Sequence, residues 1–275
     1  MKKFQPKGVC AKEFHIDVQD GILRSFRAVG GCDGNLQAVG QLVKDMPVSD
    51  VIDRLKGIRC GFKSTSCADQ LAIALGKISP VKPAPLEAIE WIDLWWDEAS
   101  KQGKRALLIG DSITRDYRPY VKEILGDAWR IDMIAASRAV DNTDFLRELN
   151  YVLQKTSYDL IHFNNGLHGF HLGIEEYAAG YEVVLKRIIE KGKNAEIVLG
   201  LSTAVGSEHY VKNEVIYQRN RVVADLAERY HLRLNDLYTI TNGRQNLQNE
   251  DGIHYGEEGC KMLARTVCET VFHKK

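Results

Sequence analysis

The chain has 275 residues and a mass of 31.0 kDa, too long for one small domain and comfortable for two. Hydrophobic residues make up 44% and charged residues 27%, an ordinary globular composition that excludes a disordered tail protein. Lys+Arg and Asp+Glu both number 37, so the net charge gives no reason to expect nucleic acid or an anionic membrane as partner.

The opening residues, Met1 to Gly8, hold lysines but no apolar segment behind them, so no secretory signal is expected. No apolar run reaches the ~18 residues that span a bilayer. In a long chain without an export signal, six cysteines predict reduced thiols and a cytoplasmic protein.

The first predicted elements form a hairpin. Phe14, Ile16 and Val18 alternate with polar residues, Asp20-Gly21 turns the chain, and Ile22, Leu23 and Phe26 return. Helices are predicted near 35–44 and 49–56. A third should start at Ser66, where Ser66-Cys67-Ala68-Asp69 fits a capping box ahead of Leu71 to Leu75.

Pro80, Pro83 and Pro85 then mark a boundary. Proline fixes φ and removes backbone donors, so this stretch reads as a semi-rigid linker. The predicted organisation is an α+β cysteine-containing module over 1–79, a linker with a Trp-rich helix over 80–103, and a larger domain over 104–275. Within the linker, Leu86 to Lys101 reads as a helix that docks Trp91, Trp95 and Trp96 onto a sheet, with carbohydrate stacking as the alternative role for these rings.

Strands and helices alternate after that. Arg105 to Ile109 reads as a buried strand, followed by Ile131 to Ala135, Leu160 to Phe163, Ile197 to Leu201 and Arg233 to Leu237. Ile174 to Ile189 carries apolar residues at three- and four-residue spacing and reads as a helix. The fold class is therefore α/β, with five parallel strands covered by helices on both faces. In such sheets the ligand site lies beyond the carboxyl ends of the strands.

Three segments with chemical potential fall at those ends. Gly110-Asp111-Ser112 follows the first strand, and a serine at a strand-to-helix turn exposes its hydroxyl while its own N–H lies at a helix N-terminus, where an oxyanion is favoured. The bland reading is a helix cap. Asp251-Gly252-Ile253-His254 precedes the last predicted helix. A serine needs a base, histidine serves near neutral pH, and a carboxylate on the other ring nitrogen fixes the tautomer. Asn164-Asn165-Gly166-Leu167-His168 follows the third strand and offers oxyanion donors, or else a network that satisfies the turn.

Taken in order, these segments resemble the SGNH (GDSL-type) hydrolase family over residues 104–275. The resemblance implies a flavodoxin-like sheet and metal-free hydrolysis of a small acyl ester. It implies a Ser112 nucleophile, a His254 base and an Asp251 orienter. The family's second block offers a glycine N–H to the oxyanion hole. Here the stretch is Ala135 to Asn142, so Arg138 or Ala139 takes that place. The family's third block ends in asparagine, and here His168 or Asn165 takes it. Substrate choice in that family lies in loops, here 138–143, 205–213 and 239–250. The alternative is a non-catalytic protein that keeps the fold to bind a ligand or partner.

The N-terminal module resembles the TSCPD domain, through Thr65-Ser66-Cys67-Ala68-Asp69, Gly30 to Asn35 and Leu55 to Gly61. Such domains occur alone and near the C-terminus of B12-dependent ribonucleotide reductases, which suggests a partner linked to nucleotide metabolism under the non-catalytic alternative. Cys10, Cys32, Cys60 and Cys67 could hold zinc, but none of them forms a C-x-x-C pair, so no cofactor is expected and the thiols are read as reduced residues of a small core. Cys260 and Cys268 are read as packing residues, and His171 as a surface histidine near the site.

Overall fold

The computed structural model describes residues 1–19, 21–78, 86–98, 103–207 and 209–272. Asp20 of the predicted turn, the proline stretch 79–85 and residue 208 of one predicted specificity loop lie outside the described residues. The chain divides into two compact units, Met1–Pro83 and Ala84–Lys275.

In the first unit, β1 (Lys2–Phe4), β2 (Ala11–Gln19), β3 (Ile22–Gly30) and β4 (Met46–Pro47) form an antiparallel sheet in the order β1-β2-β3-β4. Alternation in β2 puts Phe14 and Ile16 inside while Glu13 and His15 line the other face. Helices α1 (Asp33–Leu42), α2 (Val48–Leu55) and α3 (Cys67–Ile78) accompany the sheet. Leu71, Leu75 and Val51 join Phe14, Ile16 and Leu23 in one core.

The pentapeptide at 65–69 acts as the start of α3. Ser66 Oγ accepts the Asp69 N–H at 3.1 Å, and the Asp69 carboxylate accepts from Thr65 Oγ1 and from the Gly57 N–H. Those donors hold the Asp69 carboxyl below its ordinary pKa, Thr65 contributing most. A missing cap of this kind costs roughly 1 kcal/mol.

The second unit begins with β5 (Ile92–Trp95). It continues through β6 (Lys104–Gly110), α4 (Ser112–Leu125), β7 (Trp129–Ala136), α5 (Thr143–Lys155), β8 (Leu160–Phe163) and α6 (Ile174–Lys191). It ends with β9 (Glu196–Leu201), α7 (Asn213–Arg229), β10 (Arg233–Asp236), α8 (Leu237–Thr241) and α9 (Glu257–Val267). The sheet order is β10-β9-β8-β6-β7-β5. Five strands are parallel, as the alternating pattern predicts, and β5 pairs antiparallel with β7 at the edge.

Strand β6 lies between β7 and β8 and carries buried side chains to both faces. Ala106 and Leu108 pack with Tyr117, Val121 and Leu263 on one side, while Leu107 and Ile109 pack with Phe145, Tyr181 and Val184 on the other. The chain leaves β6 toward one neighbour and returns to the other, so a topological switch point falls at its carboxyl end.

Two expectations are corrected here. Leu86 to Lys101 is not a helix: its described part includes β5, with Ile92 opposite Ala136 and Trp95 opposite Met133. The i, i+4 spacing of Trp91 and Trp95 imitated a helix, but β7 has an edge to fill and Trp and Ile suit a half-exposed strand. Trp91 and Trp95 face Arg115 and Arg118 at 4.9 and 4.5 Å from ring centre to guanidinium carbon. Second, three of the four N-terminal cysteines are exposed and Cys67 is half-buried. Phe14, Ile16, Leu71 and Leu75 fill the small core, and of the four cysteines Cys67 alone packs against it. Cys260 and Cys268 are buried in the second unit, where burial pushes each thiol up to about 11.

Candidate active site

The first segment begins at the last residue of β6. Gly110 must be glycine, because a Cβ there would come within 2.0 Å of Thr114 Oγ1. Asp111 is extended and caps α4, its Oδ1 accepting the Ile113 N–H at 3.0 Å. Its Oδ2 is buried with no hydrogen-bond partner among the described residues, and burial raises the Asp111 pKa. Asp111 therefore takes the capping duty that the bland reading assigned to Ser112. Ser112 is the first helical residue and 9% exposed, and its hydroxyl is left for the site.

The second chemical segment, Asp251 to His254, arrives from far along the chain. His254 Nε2 lies 2.8 Å from Ser112 Oγ, and His254 Nδ1 lies 2.7 Å from Asp251 Oδ2. Asp251 shapes its own loop: Oδ1 accepts the N–H groups of Ile253 and His254, both at 2.9 Å. Burial works against the Asp251 charge, but these N–H donors and the imidazole prevail and hold its pKa below the ordinary value. Gly252, at φ +69°, closes the turn and packs against Gly206.

The segment after β8 is pinned from three sides. Asn164 Nδ2 donates to the Gly200 carbonyl at 2.8 Å. Asn165 Nδ2 donates to the Arg138 carbonyl at 2.8 Å, so this amide ties the loop after β8 to the loop after β7. Arg219 of α7 is 1% exposed and donates to the carbonyls of Gly166, His168 and Gly169 at 3.0, 2.7 and 2.7 Å. Its guanidinium lies between the rings of Phe170 and Tyr177.

His168 Nδ1 meets the Glu87 carboxylate at 2.9 and 3.0 Å. Burial disfavours the imidazolium, but Glu87 and the nearby Asp111 charge override it and raise the His168 pKa. No partner among the described residues takes Nε2.

Arg138 and Ala139 follow β7. The Arg138 guanidinium is held by Glu90 at 2.7 Å and Glu148 at 3.1 Å, away from catalytic duty. Among the described residues, no acceptor takes the N–H of Ser112, Arg138 or Ala139. The segment before β5 clamps this loop: the Trp91 N–H donates to Ser137 Oγ at 2.9 Å and Ser137 Oγ donates to Glu90.

The structure thus brings Ser112, His254 and Asp251 into one hydrogen-bonded line and leaves free N–H groups on the neighbouring strand ends. His171 stands apart, paired with Asp141 at 2.9 Å. Glu87 and Arg219 were missed in the sequence. Glu87 belongs to no motif, and its partner is 81 residues away. Arg219 interrupts the apolar face of α7 and reads as a surface charge until its three carbonyl partners are known. Among the described residues no three His, Cys, Asp or Glu side chains are gathered to hold a metal ion.

Comparison with known proteins gives a family match and a set of structural neighbours. Residues 2–79 match the TSCPD domain. A search of curated proteins found none similar to this chain. Among solved structures, a point mutant of an acetyl-xylooligosaccharide esterase from Geobacillus superposes with a TM-score of 0.52 at 19% identity. That match covers 63% of this chain and 96% of the esterase. A member of the lipolytic G-D-S-L family from Veillonella parvula gives 0.50 at 16% identity, covering 62% and 99%. An alpha/beta hydrolase enzyme from a Lake Arreo metagenome gives 0.52 at 15% identity, covering 61% and 94%. At these identities the likeness establishes the fold alone: an α/β, flavodoxin-like architecture like that of GDSL/SGNH hydrolases, in a chain whose residues 2–79 match the TSCPD domain.

Proposed function

We propose that the second unit is a serine hydrolase that cleaves an ester bond in a small acyl substrate. The observation that carries this reading is the line Ser112 Oγ, His254 Nε2, His254 Nδ1, Asp251 Oδ2, with contacts of 2.8 and 2.7 Å. It lies at the sheet's switch point, where α/β folds hold their ligands.

The roles follow from the geometry. His254 accepts the Ser112 proton as Oγ attacks the acyl carbon. The tetrahedral oxyanion is held by the N–H of Ser112 and by those of Arg138 and Ala139. His254 then protonates the leaving alcohol, and water repeats the sequence to release the acid. Asp251 holds the imidazole tautomer throughout. In the third block we assign the side-chain donor to His168, because no partner among the described residues takes its Nε2 while the Asn165 amide is engaged on the Arg138 carbonyl. Asn165 then acts by fixing the 138–139 loop. Six unpaired cysteines fit a reducing, cytoplasmic setting, and no helix among the described residues is long and apolar enough to cross a membrane.

A fluorophosphonate probe tests the assignment before any substrate is known. The full chain should be labelled at Ser112, located by peptide mass mapping. Absence of label on folded protein would favour the alternative, a fold kept for binding alone.

Replacing His168 by Phe should lower kcat by roughly 10²–10³, the usual cost of one oxyanion donor. A charged His168 is lost as pH rises through its raised pKa, so kcat should fall on that limb. Glu87→Gln removes the carboxylate that raises it, and the limb should move to lower pH. A pH–rate profile unchanged by Glu87→Gln would remove His168 from the oxyanion hole.

A further inference from the structure

Cys10, Cys32, Cys60 and Cys67 come from separate stretches of the first unit and line one cavity of about 240 Å³. Cys10 lies between β1 and β2, Cys32 precedes α1, and Cys60 and Cys67 flank the loop leading into α3. Three are exposed, one is half-buried, and none is in a disulfide. Much of the remaining wall is apolar, including Leu36 and Val39.

Gathered thiols serve two common chemistries, metal ligation and thiol–disulfide exchange. Ligation needs sulfurs drawn to one point about 2.3 Å from each, and no three side chains of the described residues are so gathered. The cation beside Cys10 is instead the Lys63 ammonium, with Nζ 3.1 Å from Sγ. An ammonium at that range repels a metal ion and supplies the counter-charge of a thiolate, which is the nucleophilic form of cysteine.

We propose that this cavity is a thiol–disulfide exchange site for small organic disulfides, with Cys10 as the attacking sulfur and Lys63 as its charge partner. The Cys10 thiolate attacks one sulfur of a disulfide R–S–S–R. A bond forms between Cys10 and that sulfur, the reagent's S–S bond breaks, and RS⁻ leaves and takes a proton from water. The disulfide is the oxidant, the Cys10 sulfur is oxidised, and one thiol is released. The apolar wall gives the organic substituent a place out of water. The site lies within the first unit and does not depend on the hydrolase reading.

The test uses the full chain, fully reduced, then mixed with hydroxyethyl disulfide, with adducts at each cysteine timed by peptide mass mapping. Cys10 should react first, roughly tenfold faster than the comparably exposed Cys32. Lys63→Met should slow Cys10 by roughly tenfold and leave Cys32 unchanged, while Lys63→Arg keeps most of the rate. Equal rates at Cys10 and Cys32 in the wild-type protein would overturn the proposal, and that comparison needs no variant. Indifference of Cys10 to Lys63→Met would do the same. So would purified protein carrying one zinc per chain that shields all four sulfurs, since the cavity would then be a metal site.

Discussion

Ser112→Ala should abolish hydrolysis of a short p-nitrophenyl ester, lowering kcat by about 10⁴–10⁶, while the protein stays folded. The two halves of this expectation have separate causes. Chemically, the hydroxyl is the group that forms the acyl bond, and no other hydroxyl meets His254 Nε2 among the described residues. Structurally, the helix start does not depend on Ser112. Asp111 is the cap, and alanine is the best helix former at the position that follows it. The melting temperature should therefore stay within about 2 °C of wild type. A folded Ser112→Ala protein that turns over the ester at the wild-type rate would end the hydrolase reading. Equal loss of both activity and melting temperature would mean that the hydroxyl holds the fold.

Much of the frame behind this test is legible in the chain alone. Strand β6 carries the continuous apolar run Ala106 to Ile109 because both faces of a central parallel strand are covered, and such a run is hard to mistake. The three proposed site residues stand out in the sequence because each belongs to a short local pattern: a tight strand-to-helix turn for Ser112, and one self-capping turn for Asp251 and His254. Strand β5 was not legible. Its four residues sit at an edge, its Trp95 falls at helical spacing from the preceding Trp91, and only the free side of β7 decides between the two. Glu87 and Arg219 act through partners 81 and 50–53 residues distant, and local sequence carries no trace of such pairs. The cysteines misled for a related reason. Their composition suggests a core, but the core of the first unit closes on Phe14, Ile16 and Leu71, with Cys67 at its margin on the first turn of α3 and the other three thiols on loops around a cavity.

Asp251→Asn should reduce kcat by about 10⁴ at neutral pH, although it removes only one charge from a half-exposed side chain. The reason is the direction of the hydrogen bonds. Asp251 Oδ1 accepts two backbone N–H groups, so an asparagine must keep its carbonyl oxygen there. Its NH₂ then faces His254 Nδ1, where Asp251 Oδ2 stood at 2.7 Å. A donor facing Nδ1 forces that nitrogen to accept, and the ring proton moves to Nε2. The nitrogen that should take the Ser112 proton then already carries one. Because the turn itself survives, the melting temperature should change little, and the ground-state position of the ring should be kept. The loss would therefore appear in kcat more than in KM. A drop below tenfold would mean that the carboxylate does not govern the tautomer, and that Ser112 and His254 work as a pair with Asp251 serving the turn alone.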